Sequence, residues 1–449
     1  MKLNKLFLMA AMGLGLFACS ENELEGNGPD SAQNEGTTYV GFTLKFNDAN
    51  TRATTTEDGT DAEQNIKTAY VVMTNTDGST IEEIVALTDA KKGTESNADN
   101  KCYVFQTTPG THYFYAVVNP NEAPAKGGKI SDYFDTGVPL SVANIASTTD
   151  GGNFMMSSEN VLNAYLEDGV KEADALAGKK NSFEISVERV AAKVTMTCES
   201  TALTNANNNA GGTITTPKFT LKGGATMSYR MAQSAINEIT GNEWTNTSSS
   251  TDVYVKQEAD DGDNYIYRKA TPVYCLENLH ATGAYKQGNT TYLNLNTKFV
   301  PGRVVDCNAT AANGDLKDNP NATTSTPVPF YVVKTGSLAG NYILKSDLTT
   351  YQTSNPGKYP NGVESISDEY KEGTCWFGPI WIGQTDTDKA NAPIYRNTWY
   401  NLKITGITLP GDPSEPKPDE EQGLTPATNV AITLTVQPWN FIDRGITLQ

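Results

Sequence analysis

Histidine is almost missing from this chain: His112 and His280 are the only two in 449 residues. Each lies in or beside a strand-like stretch, GTHYFYAVVN and ENLHATG, and reads as a structural residue. Imidazole-based catalysis and metal ligation therefore have little to build on. Cysteine is scarce too. Cys102, Cys198, Cys275, Cys307 and Cys375, the five after Cys19, are widely spaced without a CxxC, which excludes zinc knuckles and dithiol redox motifs. They read mostly as small buried hydrophobes. Basic residues are in deficit, 34 against 52 acidic, and the formal charge of -18 argues against nucleic acid or anionic headgroups as partners. The one sustained apolar run, Leu6 to Ala18, falls short of the ~20 residues that span a bilayer. The acidic cluster Glu258 to Asn264 lacks EF-hand spacing, and the GKK at Gly178 has Ala173 where a P-loop needs glycine. Paired carboxylates for glycoside hydrolysis gain no positive support, because their separation is a property of the fold. No cofactor, metal or enzymatic activity is expected.

What is present begins at the N-terminus. MKLNKLFLMAAMGLGLFAC has early lysines, an apolar run and a terminal cysteine, the layout of a secretory signal over residues 1–18. Leu16-Phe17-Ala18-Cys19 resembles the lipobox of bacterial lipoproteins, with Phe17 departing from the small residue usual there. That resemblance makes Cys19 the lipidated residue, holding the protein to a membrane by roughly 0.8 kcal/mol per buried methylene. Residues 19–36 are polar and acidic and read as an unfolded tether.

Beyond the tether, short runs rich in Val, Tyr, Phe, Ile and Thr recur between Gly, Asn, Asp and Pro, among them YVGFTLKF, AYVVMTN, FEISVERVAAKVTMTC, TTYLNLNTKFV and TWYNLKITGITLP. This spacing indicates an all-β protein of antiparallel sandwiches rather than βαβ units. Helical periodicity is weak, best in SENVLNAYLEDGVKEADALAG. The stretch Thr201 to Thr216 is nearly free of large apolar residues and divides an N-terminal sandwich, 37–200, from a C-terminal one, 217–410. A Pro- and charge-rich segment, 411–429, is expected to be extended and mobile. It precedes a strongly β-prone tail, 430–449, which in a closed domain would be the last strand pair.

The two ends match. Val40, Phe42, Leu44 and Phe46 share one face of a predicted strand, and Val430, Ile432, Leu434 and Val436 share one face of another. A strand lost from one molecule is therefore replaceable by the tail of a second through β-strand addition. Arg52, between Thr51 and Ala53, stands in a polar loop six residues past Phe46, with no further arginine before Arg189. An arginine-specific protease would cut there, and residues 37–52 form the removable strand with its cleavage loop. A removable strand is expected at a sheet edge beside Arg52.

In combination, the N-terminal signal with Cys19, the Thr51-Arg52-Ala53 junction, NFMMSS (153–158), VERVAAKV (187–194), VYCLEN (273–278), YRNTWYNLKITGI (395–407) and VQPWNFIDRGITL (436–448) resemble the fimbrillins of Bacteroidales. These are subunits of protease-matured type V pili, and the likeness is greatest to the major-subunit branch that builds short fimbriae. The resemblance implies two tandem transthyretin-like sandwiches and a lipidated precursor at the outer membrane surface. It also implies an arginine-specific maturation protease, and assembly with further copies and related pilus subunits into an extracellular, adhesive fimbrium. Either VAITLTV or the free end FIDRGITLQ, with Ile442, Ile446 and Leu448 on one face, would be the donor. The rival reading is a monomeric surface lipoprotein that binds glycan or a host ligand, with Trp376, Trp381, Trp399 and Trp439 as a sugar platform.

Overall fold

A computed structural model describes residues 36–46, 57–87, 91–92, 103–135, 138–139, 142–149, 152–199, 212–215, 217–232, 253–257, 270–385, 387–407, 409–426 and 430–440. The chain is all-β with little helix. Its N-terminal strands are β1 (Thr38–Phe46), β2 (Glu57–Asp58), β3 (Ala69–Thr74), β4 (Ile81–Ala86), β5 (Lys91–Lys92), β6 (Tyr103–Thr107), β7 (Gly110–Val118), β8 (Met156–Ser158), β9 (Leu162–Leu166) and β10 (Ser182–Arg189). All but β2 join one nine-stranded sheet, in the order β4-β3-β7-β8-β10-β1-β6-β5 with β9 beside β7. The sheet curls over on itself. Phe42 of β1 and Phe114 of β7 are three strands apart along the hydrogen-bonded path, yet their ring centroids are 4.7 Å apart.

The C-terminal strands are β11 (Ala191–Cys198), β12 (Lys218–Lys222), β13 (Val273–Leu276), β14 (Tyr292–Pro301), β15 (Thr374–Trp381), β16 (Thr398–Ile407) and β17 (Val430–Asn440). One layer runs β11-β16-β17-β2, with β13 on β11. The other centres on β14, flanked by β12 and β15. Between them lies a core that includes Val194, Met196, Phe219, Leu295, Phe377, Leu402 and Ile404. An outlying core of Val305, Cys307, Val333, Ile343, Leu348 and Val363 supports the longest described helix.

Three expectations change. The sheet boundary falls at Val190, not within 201–216: β11 pairs in parallel with β16, Lys193 opposite Trp399 through Cys198 opposite Ile404. Its even-numbered residues enter the C-terminal core while Ala191 enters the N-terminal one, so every residue of β11 is buried. A strand buried on both faces reads as one more apolar run and does not announce its sheet. Pairing is also not wholly antiparallel, since β1 runs parallel to β10 just as β11 runs parallel to β16. In each half the opening strand lies beside a late one, which requires a long crossover rather than a hairpin. The helical candidate, finally, resolves into strand β9 and a five-residue helix, Glu172–Leu176.

Candidate functional site

The alternation in β1 puts Val40, Phe42 and Leu44 into the core, 0%, 0% and 4% exposed, while Lys45 faces solvent and pairs with Glu184 at 3.3 Å. Phe42 meets Phe114, Phe105 and Phe183. The side chain of Phe46 lies outside the described residues, as do Cys19, Arg52 and Ala53. The strand is not at an edge: Thr38–Phe42 pair antiparallel with β6 and Gly41–Phe46 pair parallel with β10. It is the only link between β10 and the β6-β5 pair among the described residues. An edge would have satisfied one side of the backbone; this strand occupies a two-sided slot.

Asn181 equips the mouth of that slot. At φ 43° it holds a turn that asparagine tolerates better than most residues. Its buried Nδ2 donates to Thr38 Oγ1 (3.0 Å), Tyr39 O (3.1 Å) and Glu167 O (3.0 Å). Its own carbonyl accepts from Gly41 N at 2.8 Å, and Val170 O accepts from Tyr39 N at 3.1 Å. Without β1, Asn181 Nδ2 would keep Glu167 O but lose Thr38 and Tyr39, and the carbonyls of Asn181 and Val170 would lose their donors, bonds that a strand in the slot supplies.

The other strand of interest closes the C-terminal half. β17 pairs antiparallel with β16, Val430 opposite Ile407 through Pro438 opposite Thr398. Ile432 and Leu434 share the core-facing side, half-buried, with Thr433 exposed. The alternation is as the sequence suggests, but the strand closes its own domain. Side chains of Val430 and Val436 are outside the described residues, and Ile442, Ile446 and Leu448 wholly so. Among the described residues its far edge carries only β2, in parallel, Glu57 opposite Trp439 and Asp58 opposite Asn440. The segment that follows Arg52 in the chain thus touches the C-terminal strand.

Residues 411–426, expected to be mobile, instead form a strap across β14 and β15. Trp376 and Asp412 exchange two backbone hydrogen bonds, 2.9 and 2.7 Å, and Tyr370 donates to Gly411 O at 2.7 Å. A side chain at 411 would have its Cβ 1.8 Å from Trp376 O, which only glycine avoids. Further along, Lys222 pairs with Glu415 (2.9 Å), Asn294 donates to Pro416 O (3.2 Å), Gln287 to Gly423 O (3.0 Å), and Trp381 Nε1 to Thr425 O (2.6 Å). An extended Pro-rich segment leaves its carbonyls unpaired, and these side chains supply the donors.

The remaining candidates are structural. His112 is buried between Thr74 O (3.0 Å) and Thr108 O (3.2 Å), and His280 faces Asn289 O at 2.9 Å. Cys198, Cys275, Cys307 and Cys375 are free and buried; Cys102 lies outside the described residues. Trp381 and Trp399 are core residues and Trp376 is half-buried, so they form no sugar platform; the side chain of Trp439 is not described. No group of three or more His, Cys, Asp or Glu suited to a metal occurs among the described residues.

Sequence reasoning missed the contact between the halves. Helix α1 (Asp61–Gln64), closed at its start by a Thr60–Glu63 capping box, inserts Glu63 between the halves. There Glu63 meets Lys193 (2.9 Å) and accepts from Tyr274 Oη (2.6 Å), and Arg189 Nε donates to its carbonyl (3.1 Å). The TxxE signature at Thr60–Glu63 was the available signal. Nearby, Arg396 donates to Glu277 at 2.8 Å and stands 3.9 Å from Glu188.

The fold and these two strands define a class: a two-part β protein with a strand paired on both sides in its N-terminal half and, in its C-terminal half, a last strand that follows a strap laid across β14 and β15. Residues 368–444 match the family model of the major fimbrial subunit protein type IV, fimbrillin, C-terminal region. That stretch contains β15, β16, the strap and β17. Over that stretch the chain is similar to the C-terminal region of a major fimbrial subunit. No curated protein matches. Among solved structures, the chain is similar to a fimbrilin (fimA) from Porphyromonas gingivalis W83, with TM-score 0.46, 16% identity, 91% of this chain and 99% of that one. It is also similar to the tip fimbrial protein Mfa3 from the same species with a C-terminal truncation (0.42, 11%, 90% and 100%). A third is a fimbrial assembly protein from Parabacteroides distasonis ATCC 8503 (0.34, 10%, 83% and 92%).

Proposed function

We propose that the chain is a stalk-type pilus subunit that polymerises by strand exchange. It is exported as a precursor lipidated at Cys19 and cut after Arg52 by an arginine-specific protease. Loss of residues 19–52 removes β1 and opens the slot along β10 and β6. The C-terminal segment 430–449 of a second copy then fills it, building an extracellular, adhesive fimbrium.

The observation that carries this reading is the contrast between the strands: β1 buries Val40, Phe42 and Leu44 and is paired along both sides, while Ile432 and Leu434, the described core-facing side chains of β17, are half-buried. Burying Val40, Phe42 and Leu44 stabilises by at most about 4.5–9 kcal/mol at ~1.5–3 kcal/mol each. A donor must recover that much. The strap sharpens the geometry, because it is anchored as far as Thr425. A tail of residues 430–449, fully extended, reaches about 65 Å at ~3.3 Å per residue.

Purified precursor treated with an arginine-specific protease should yield a product beginning at Ala53 and then a ladder of polymers on denaturing gels without heating. Arg52→Ala should leave the chain monomeric, as should deletion of 430–449. Polymerisation of either variant at the normal rate would sink the reading.

A further inference from the structure

A cavity of about 440 Å³ opens in the C-terminal half, away from both β1 and β17. One wall is helix α3 (Lys345–Ser354; Glu172–Leu176 being α2) with the Asn355 that ends it. Asp347, Thr350, Tyr351, Ser354 and Asn355 line it, at the i, i+3, i+4, i+7, i+8 spacing that normally makes a helix's apolar stripe. Here that stripe carries a carboxylate, two hydroxyls, a phenol and an amide; Leu348 is the helix's buried anchor, and the half-buried Tyr351 also packs against the outlying core. The opposite wall is Cys307, Asn308, Ala309 and Lys317, on and between the strands Arg303–Val305 and Leu316–Asp318.

The polar groups are only partly used by the protein. Lys317 and Asp347 pair at 2.7 Å, leaving the lining without net charge. Thr350 Oγ1 donates to Ser346 O and Asn355 Nδ2 to Tyr351 O, so each retains acceptor capacity. The side chains of Asn308, Tyr351 and Ser354 make no hydrogen bond among the described residues. Burial pushes the Cys307 thiol up to about 11, so it stays protonated and adds no charge.

An anion would need an unpaired cation, and an apolar ligand would need an apolar lining. A neutral polyol needs what is present: donors and acceptors interleaved, an aromatic ring to lie against, and a volume within the ~300–1,000 Å³ of ligand clefts. We infer that this cavity binds a neutral saccharide unit of mono- to disaccharide size, with Tyr351 as the ring against which the sugar packs. The site contains no residue of the exchange apparatus and stands independently of it.

The test is saturation-transfer NMR and calorimetry on the full chain carrying Arg52→Ala, so that polymerisation plays no part, with galactose, N-acetylglucosamine, lactose and maltose titrated separately. At least one should bind at millimolar concentration. Tyr351→Ala should weaken it tenfold or more, and Ser354→Trp, at an exposed position on the rim, should abolish it with an unchanged melting temperature. Absence of binding by all four sugars overturns the inference. So does binding that survives both substitutions, or binding of inorganic phosphate in place of the sugars.

Discussion

Lys193 Nζ lies 2.9 Å from Glu63 Oε1, with the two side chains 4% and 0% exposed, and 3.8 Å above the ring centroid of Trp399. One partner comes from the short helix Asp61–Gln64 and the other from the first strand of the C-terminal half, so this ion pair couples the two.

Removing one partner leaves a buried charge uncompensated, and Glu63→Gln should destabilise by about 3–5 kcal/mol at neutral pH. Burial pushes the Glu63 carboxyl up, but the Lys193 charge and hydrogen bonds from Tyr274, Lys193 and Thr60 N outweigh it, and the net direction is down. A depressed carboxyl contributes stability above its unfolded value, and that contribution is lost as pH falls through the folded one. Chemical denaturation at several pH values should show the variant with a flatter acid limb than the wild type.

Glu188 should behave oppositely. Burial, with Glu277 and Glu159 nearby and only Arg396 opposing, pushes its carboxyl up to about 7. A raised carboxyl contributes stability that is complete below its ordinary value near 4.5 and is lost as pH rises through about 7. The melting temperature of wild type should therefore decline across that window, and Glu188→Gln should flatten the decline.

Phe42 separates the states of the subunit. In the uncut precursor Phe42→Ala removes a fully buried ring from an aromatic cluster and should cost about 3–5 kcal/mol. If cleavage removes the strand, as proposed, the substitution should cost nothing in polymers made from cleaved chains. Melting curves of precursor and assembled material decide this, and equal losses in both would contradict strand removal.

Asn181→Ala should destabilise the precursor by at least the ~1–3 kcal/mol of one unsatisfied buried group, and Asn181→Gly less, since glycine accepts the positive φ. If a donor strand uses the same slot, both variants should also slow polymerisation. Light scattering after protease addition measures that directly.

The apolar face of β1 was legible beforehand. The period-2 alternation that placed Val40, Phe42 and Leu44 on one face is a local property, and burial followed it. The two-sided position of β1 was not legible, because Gly41 opposite Ser182 is a pairing across most of a domain. The strap was misjudged for a related reason. Proline-rich composition predicts an extended backbone, and whether its carbonyls find Asn294, Gln287 and Trp381 depends on what lies beneath.

By itself the sequence determined the β-rich class, the apolar face of each end strand and the isolation of Arg52, since each depends on side chains close together in the chain. Tertiary structure alone decided that β11 belongs with β16, that Glu63 and Lys193 meet, and that the polar stripe of α3 lines a cavity. Those outcomes rest on contacts between distant segments, where burial and pairing are won only once the whole chain has folded.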